Sequence, residues 1–92
     1  MLKTRHLERI VKGYSNHRRI QILELLEKEP ELSVSEIAQK VKFDLKNASQ
    51  HIRRMAIAGL ILKRNQNKNV RHKLSDKGAS TLRFLKKLEQ LR

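Results

Sequence analysis

The stretch from residue 44 to residue 58, DLKNASQHIRRMAIA, followed by Gly59, is the part of the sequence that decides the fold. Its apolar residues recur at the spacing of a helix and would share one face: Leu45, Ala48, Ile52 and Met55. Asp44 is a suitable N-cap, and Gly59 is a suitable C-terminal stop. The pattern therefore predicts an amphipathic helix over about residues 44–58.

The polar face of this helix carries amides, a hydroxyl and cations. These residues are Lys46, Asn47, Ser49, Gln50, Arg53 and Arg54. Amides and arginines can hydrogen-bond base edges in a DNA major groove, and cations and hydroxyls can hold phosphates. An ordinary solvated surface helix would carry a similar face, so this stretch alone leaves both interpretations open.

Positive charge is concentrated in the half of the chain that begins with this helix. The 92-residue sequence has a formal net charge of +13. Residues 1–43 hold nine Lys/Arg and six Glu, a net of +3, whereas residues 44–92 hold thirteen Lys/Arg and three Asp/Glu, a net of +10. This distribution favours nucleic acid as the partner over an anionic membrane. Aromatic residues are only 3% of the chain, too few for single-strand stacking platforms, so we predict double-stranded DNA.

The composition argues against several other classes of protein. No apolar run is long enough for a membrane span, and the first residues lack a signal-peptide core, which together predict a cytoplasmic, nucleoid-associated protein with no membrane partner. The absence of cysteine excludes disulfides and thiolate metal sites. Without a cysteine nucleophile, a glycine-rich phosphate loop or paired acids in a plausible pocket, we predict neither an enzyme nor a cofactor.

Two helices are predicted at the start of the chain. The first covers residues 2–13 and is ended by Gly13, and its apolar stripe comprises Leu2, Leu7, Ile10, Val11 and Tyr14. Asn16 is a good N-cap for a second helix over residues 17–28, whose broad apolar stripe predicts burial.

The next segment predicts a helix-turn-helix. Ser33 and Glu36 form a capping box that opens a short third helix ending near Lys42. A three-residue connection leads from this helix to the helix at residues 44–58, and Phe43 is expected to fill the corner between them.

After Gly59 the sequence pattern changes from helical to alternating. An apolar run at residues 60–62, an amide-rich tip at 65–68 and alternation over 69–74 predict a β-hairpin over about residues 60–74. Asn65 or Asn67 would accept a positive φ at the tip. We favour a wing that contacts DNA over a plain connecting hairpin because cations cluster here: Lys63, Arg64, Lys68, Arg71 and Lys73.

The chain closes with a predicted helix over about residues 76–91, capped by Ser75 or Asp76. Ala79 belongs to its apolar stripe, and Phe84 lies beside it. We predict a homodimer through the two terminal helices, while folding back onto the same domain is the alternative. The dimerisation residues would be Leu2, Leu7, Ile10, Leu82, Leu85, Leu88 and Leu91. The predicted fold is mainly α with a small β-hairpin, a single winged helix-turn-helix domain over residues 1–92.

This order of elements resembles the ArsR-type repressors over about residues 14–78. The resemblance is carried by HRRIQILELL at 17–26, ELSVSEIAQKV at 31–41, ASQHIRRMAIAGLI at 48–61 and HKLSDKG at 72–78. Residues 49–52 match the family's S-x-H-L element, with Ile52 in place of Leu, and residues 58–61 match its A-G-L-[VI] element. The segment LSDKG is also similar to the L-[ST]-x-K-G element of MarR-like regulators.

The resemblance implies that the first and last helices form the dimer and that the recognition helix enters the major groove. It implies base-edge contacts from Lys46, Asn47, Ser49 and Gln50, and a phosphate contact from Arg53. In the wing, Asn67 stands where the family often has Gly, and Lys68 where it often has Arg; Arg64 and Arg71 complete the predicted DNA-binding set. His51 matches a family position and is equally compatible with a structural role and a DNA contact.

One departure from the family bears on metal sensing. Metal-sensing members carry E-L-C-V-C-D where this chain has E-L-S-V-S-E at residues 31–36, and serine does not replace thiolate as a ligand for soft or borderline metals. The last helix contains no histidine, and the four histidines of the chain show no compact ligand spacing.

We therefore predict a homodimeric, sequence-specific repressor without a metal site. The alternative is a nonspecific chromatin-like or RNA-associated protein, which the net charge of +13 supports equally well. The basic excess disfavours a winged fold that serves only as a protein-interaction module.

Overall fold

The computed structural model describes residues 2–91, which form five helices and one antiparallel hairpin. The elements are α1 (Thr4–Tyr14), α2 (His17–Lys28), α3 (Val34–Val41), α4 (Leu45–Ile57), β1 (Ile61–Gln66), β2 (Asn69–Leu74) and α5 (Asp76–Gln90). This order confirms the predicted mainly α, winged helix-turn-helix fold. None of the helices within residues 2–91 is long and apolar enough to cross a membrane.

Side-chain caps begin four of the helices, as the sequence predicts. Asn16 accepts from the backbone N–H of Arg18, and Asp44 accepts from that of Asn47 at 2.8 Å. Ser33 and Glu36 form the capping box, with the two hydrogen bonds at 3.2 and 2.9 Å. The third helix then ends at Lys42, which adopts a left-handed conformation with φ of 60° and turns the chain toward α4.

The core gathers apolar side chains from α2, α3, α4, α5 and the start of the hairpin. Its buried members are Ile22, Leu23, Leu26, Leu32, Ile37, Ile52, Met55, Leu60, Ile61 and Leu82. On α4, Ala48, Ile52 and Met55 are at most 1% exposed. Burying side chains as large as Ile52 and Met55 contributes about 1.5–3 kcal/mol each, so this face fixes the helix and its opposite face must point outward.

Two sequence predictions about the helices need correction. The first helix begins at Thr4 and continues to Tyr14, and Gly13 lies buried inside it rather than ending it. A Cβ at Gly13 would lie 2.4 Å from the Cβ of Ala58, so glycine is there because α1 crosses the end of α4 closely. Leu45 is 55% exposed and is not part of the buried face, because it is the first residue of α4 and extends beyond the core.

The hairpin occupies the predicted residues, but its first strand extends further than predicted and its turn is shorter. Asn65 and Gln66 belong to β1, where Asn65 pairs with Val70, and the tip consists of residues 67–68. Asn67 has the positive φ, 56°, and it is one of the two asparagines predicted to accept it.

A third extended segment joins the hairpin and was not predicted from the sequence. Leu32 forms an antiparallel bridge with His72: the His72 N–H donates to Leu32 O at 2.9 Å, and the Glu31 N–H donates to His72 O at 2.8 Å. The His72 ring is 1% exposed, with its Nδ1 2.8 Å from Leu32 O. Hydrogen bonds therefore join the segment before α3 to strand β2 of the wing.

The segment LSDKG forms the junction between the hairpin and α5. The Ser75 hydroxyl donates to Gly59 O at 2.5 Å and accepts from the Gly78 N–H at 2.9 Å. A Cβ at Gly78 would lie 2.1 Å from Leu60 O, so only glycine lets α5 begin against the backbone of Leu60, directly before β1. The motif is thus explained by capping and close packing.

Candidate nucleic-acid interface

The outward face of α4 presents the polar residues that the sequence places there. Lys46, Asn47, Ser49, Gln50, Arg53 and Arg54 are all exposed. Because the opposite face is buried in the core, these side chains project from a helix that is fixed in place. Amide, hydroxyl and guanidinium groups on one exposed helix face can reach base edges and phosphates of a duplex.

The residues on this face differ in how free their hydrogen-bonding groups are. The Asn47 amide donates to Asp44 Oδ2 at 2.7 Å, which leaves its second N–H and its carbonyl oxygen available. Within residues 2–91, the Gln50 side chain makes no hydrogen bond to the protein, so both its donor and its acceptor are available.

His51 lies on the same helix but is built into the packing between helices. Its Nδ1 accepts from Arg19 Nε at 3.1 Å, and Arg19 Nη1 donates to Lys12 O at 2.6 Å. Burial, followed by the charges of Arg19 and other nearby cations, lowers the pKa of His51, so the ring is neutral near pH 7. These bonds link α1, α2 and α4, which gives His51 a structural role.

The connection between α3 and α4 is closed by an aromatic side chain, as the sequence predicts. Phe43 is partly buried and packs against the core. The Arg18 guanidinium lies 4.6 Å from the Phe43 ring centroid, and the His51 ring centroid lies 6.2 Å from it. Such a cation–π contact contributes about 0.5–1 kcal/mol at an exposed site and helps to fix the turn.

The wing brings its two central arginines together and pairs each with a glutamate. Arg64 and Arg71 occupy directly opposite positions in the hairpin. Arg64 Nε donates to Glu31 Oε1 at 2.8 Å, and Arg71 Nη1 donates to Glu36 Oε1 at 2.9 Å. Hydrogen bonds from Ser33, together with the charge of Arg71, lower the pKa of Glu36. Both predicted wing arginines are therefore already engaged by acids, and no local sequence pattern predicts these pairs.

Other cations of the wing have no acidic partner within the part of the chain that the structure describes. Lys68 stands at the tip, and Lys63 and Lys73 lie on the strands; all three are exposed and outside the ion pairs seen within residues 2–91. Lys68 thus differs from Arg64 and Arg71, the other two predicted wing contacts, in being free to approach a phosphate.

Comparison with known proteins identifies the fold family. The family model for winged helix-turn-helix DNA-binding domains matches residues 15–61. The chain belongs to this family. As predicted, it is a family of DNA-binding domains and not of enzymes. No curated protein sequence matches the chain.

Solved winged helix structures place the chain among ArsR-like regulators. The homodimeric DNA-binding domain of a possible ArsR-family transcriptional regulator from Mycobacterium bovis is 25% identical and covers 97% of this chain and 84% of its own, with a TM-score of 0.86. HlyU from Vibrio cholerae is 29% identical, with 96% and 97% covered and a TM-score of 0.81. NolR from Sinorhizobium fredii, at 24% identity with 94% and 86% covered and a TM-score of 0.84, shows the shared fold. The resemblance predicted from the sequence is confirmed.

The serine at the start of α3 has a structural role as a helix cap. The Ser33 hydroxyl, at a position where metal-sensing relatives are expected to have a thiolate, accepts from the backbone of Glu36. Within residues 2–91, no three side chains of His, Cys, Asp or Glu come together as a metal site would require.

Proposed function

We propose that this winged helix protein is a homodimeric, sequence-specific transcriptional regulator that binds double-stranded DNA. The observation that carries the proposal is the two-sided character of α4. Its inner face is held by Ala48, Ile52 and Met55, and its outer face exposes two amides, a hydroxyl and three cations. A fixed helix with this outer chemistry suits direct readout of the major groove.

The DNA-binding residues of the proposal have distinct roles. Lys46, Asn47, Ser49 and Gln50 contact base edges or their immediate surroundings, and Arg53 contacts phosphate. In the wing Lys68 contacts phosphate directly because it is unpaired, whereas Arg64 and Arg71 must loosen their glutamate contacts to do so. Phosphate contacts set affinity and register, and base contacts set sequence preference.

The exposed apolar side chains of the terminal helices support the proposed dimer. Leu82, which the sequence places in the dimer interface, is instead 1% exposed and belongs to the core of its own chain. On α1 and the residues before it the exposed side chains are Leu2, Leu7 and Val11, and on α5 and the residue after it Phe84, Leu88 and Leu91, each between 39% and 76% exposed. Burying these side chains against a second copy of the chain would remove apolar surface from water, which favours association. The similar domain from Mycobacterium bovis is described as homodimeric. A two-fold dimer would place two recognition helices about one DNA turn apart, roughly 34–36 Å.

The mode of regulation is proposed as repression by occupancy, without metal sensing. A small DNA-binding dimer blocks access to the DNA that it covers and needs no further activity for that effect. Serines at the thiolate positions leave the start of α3 without soft ligands. The protein would act in the cytoplasm, on nucleoid DNA.

Selection from a random duplex pool at near-physiological salt, followed by sequencing of the bound fraction, tests the proposal. We expect enrichment of an inverted repeat whose half-sites are separated by about one helical turn. Binding without enrichment would instead indicate a nonspecific chromatin-like protein, and failure to bind duplex DNA would refute the proposal and direct attention to RNA.

Salt dependence gives an independent check. If about 6–10 phosphates are neutralised, raising the salt from about 50 to 200 mM should weaken binding by roughly 10³–10⁵. Binding that is insensitive to salt would contradict the role assigned to the wing and to Arg53.

A further inference from the structure

A cleft between α1 and the C-terminal end of α4 has a lining that the proposed DNA contacts do not explain. Its volume is about 250 Å³. Four cations line it: Arg9 and Lys12 from α1, Arg19 from α2 and Arg54 from α4. The remaining lining is apolar and comes from Gly13, Ile57 and Ala58, and no acid lines the cleft.

The cations of this α1–α4 cleft are poorly compensated. Lys12 contacts Glu8 at 3.6 Å, but both side chains are more than half exposed, and such a surface pair contributes little. Arg19 is fixed by its bonds to His51 and Lys12 O, and burial together with the charge of Arg54 lowers the pKa of Arg19. Like charges in a partly buried site repel, so a bound anion would relieve an unfavourable arrangement.

The apolar part of the cleft indicates what kind of anion would fit. Ile57 is 76% exposed and stands at the rim beside Arg54, while the close crossing of Gly13 and Ala58 forms the base. A simple inorganic anion would use only the cations. A ligand with an apolar body would also cover Ile57, and burying apolar surface yields about 25 cal/mol per Å².

We propose that the α1–α4 cleft binds a small organic anion, with a carboxylate, sulfonate or phosphate group at the cations and an apolar body against Ile57 and Ala58. The volume lies just below the range of about 300–1,000 Å³ for small-molecule pockets, which suits a ligand of one or two rings. Arg54 follows Gln50, the nearest predicted base contact, by four residues, or about 6 Å along the helix axis, so the cleft adjoins the DNA-binding face at Arg54, while Arg9 and Lys12 lie on α1.

Amide chemical shifts measured by two-dimensional NMR on the full 92-residue chain test this site. The probe is naphthalene-1-sulfonate, which combines one anion with an apolar body. We expect saturable shifts at Gly13 and Ala58, with Gly78, at the start of α5, unchanged. Sodium sulfate supplies the anion without the apolar body, and naphthalene-1-methanol supplies the apolar body without the anion. Each should bind at least about tenfold more weakly than the probe. Equal binding of either control, or shifts at Gly78 of the same size, would overturn the proposal.

Matched variants test the assigned cations. Arg9→Gln and Arg54→Gln should each weaken probe binding by about tenfold or more. Arg83→Gln removes the same charge from α5, where the Arg83 guanidinium donates to the Ser80 hydroxyl, and should leave binding unchanged. An equal loss of probe binding in all three variants would show that binding depends only on the net charge of the protein, and it would refute the site.

A DNA phosphate could also supply the anion at the cations of the cleft. Titration with duplex DNA distinguishes a DNA phosphate from a free organic anion as the ligand. If the cleft serves a free organic anion, duplex DNA should shift residues of the α4 outer face and leave Gly13 unchanged. Shifts at Gly13 with duplex and none with the probe would overturn the small-molecule site. Those results would leave the proposed DNA-binding function standing, because that function is tested by sequence enrichment.

Discussion

Arg64 and Arg71 face each other across the hairpin, and a glutamate from the segment around the start of α3 holds each of them. Like charges directly opposite in a strand pair are destabilising, so Glu31 and Glu36 offset a repulsion that the hairpin creates. The same two contacts orient the wing relative to the helix-turn-helix. The two arginines thus orient the wing through their glutamate contacts and, in the proposed function, also bind phosphate.

Removing the acid that holds Arg64 should strengthen DNA binding without regard to sequence. Glu31→Gln frees the Arg64 guanidinium for phosphate, so we expect affinity for any duplex to rise several-fold and the slope of log K against log salt to steepen by up to about one. Fluorescence anisotropy over a salt series measures both quantities.

The matched control for this variant is Glu27→Gln. Glu27 of α2 pairs with Lys86 of α5 at 2.6 Å, outside the wing, and its loss changes the net charge equally. A similar gain in both variants would show a general charge effect, and a loss in Glu31→Gln would show that the wing orientation matters more than the freed arginine.

Base-reading and phosphate-binding residues should be separable by mutation. Gln50→Ala removes a free amide from the recognition helix and should cost about 1–3 kcal/mol of discrimination at one base pair. Lys68→Ala should weaken all duplexes alike and reduce the salt slope by about one. Binding measured on the selected site and on its single-base variants checks both expectations, and a uniform loss for Gln50→Ala would contradict its assignment.

Stability should fall on the acid side of neutrality. Burial lowers the pKa of both His72 and His51, so the unfolded chain binds protons more readily than the folded chain. The free energy of unfolding should therefore be at its plateau above about pH 6.5, the ordinary histidine pKa, and decrease as the pH falls below it. Urea unfolding at a series of pH values from 5 to 8 measures this dependence.

The variant His72→Asn isolates the contribution of the buried ring. Asparagine does not titrate, and its amide can still donate toward Leu32 O. In this variant we expect the free energy of unfolding to decrease less between pH 7 and pH 5 than it does in the native chain. A decline as steep as that of the native chain would show that His72 does not carry it.

Local patterns predicted much of this structure because the signals lie close together in sequence. Asn16, Ser33 and Asp44 cap their helices through bonds to residues two or three positions ahead, so spacing alone reveals them. The outer face of α4 follows from the same helical period. The predicted wing, likewise, follows from alternation and from an asparagine at the tip.

The contacts that sequence patterns missed join residues far apart in the chain. The Leu32–His72 bridge, the Arg64–Glu31 pair and the Arg19–His51 bond span 40, 33 and 32 positions. No local period encodes them, and each depends on how the elements pack. The prediction that Gly13 ends the first helix is wrong for the same reason, because the role of Gly13 depends on Ala58, directly after α4.

The close crossing of α1 and α4 can be tested by moving one methyl group between helices. Gly13→Ala normally favours a helix interior by about 0.5–1 kcal/mol, but here the new Cβ would lie 2.4 Å from that of Ala58. We expect a net destabilisation of about 1–3 kcal/mol. Thermal unfolding should show recovery of most of this loss in the double variant Gly13→Ala/Ala58→Gly, and an additive loss would contradict the contact.

The proposed dimer should depend on Leu88 of α5 and not on Leu62, an equally exposed leucine of the wing. Leu88 is 50% exposed on α5, and Leu62 is 48% exposed on the wing, so the two positions are matched in residue type and exposure. Leu88→Glu places a charge in the proposed interface, where burying it without a partner is costly. We expect sedimentation velocity to show monomers for Leu88→Glu and dimers for Leu62→Glu, and the Leu88→Glu monomer should bind an inverted repeat no better than a single half-site. A dimer that survives Leu88→Glu would place the interface elsewhere.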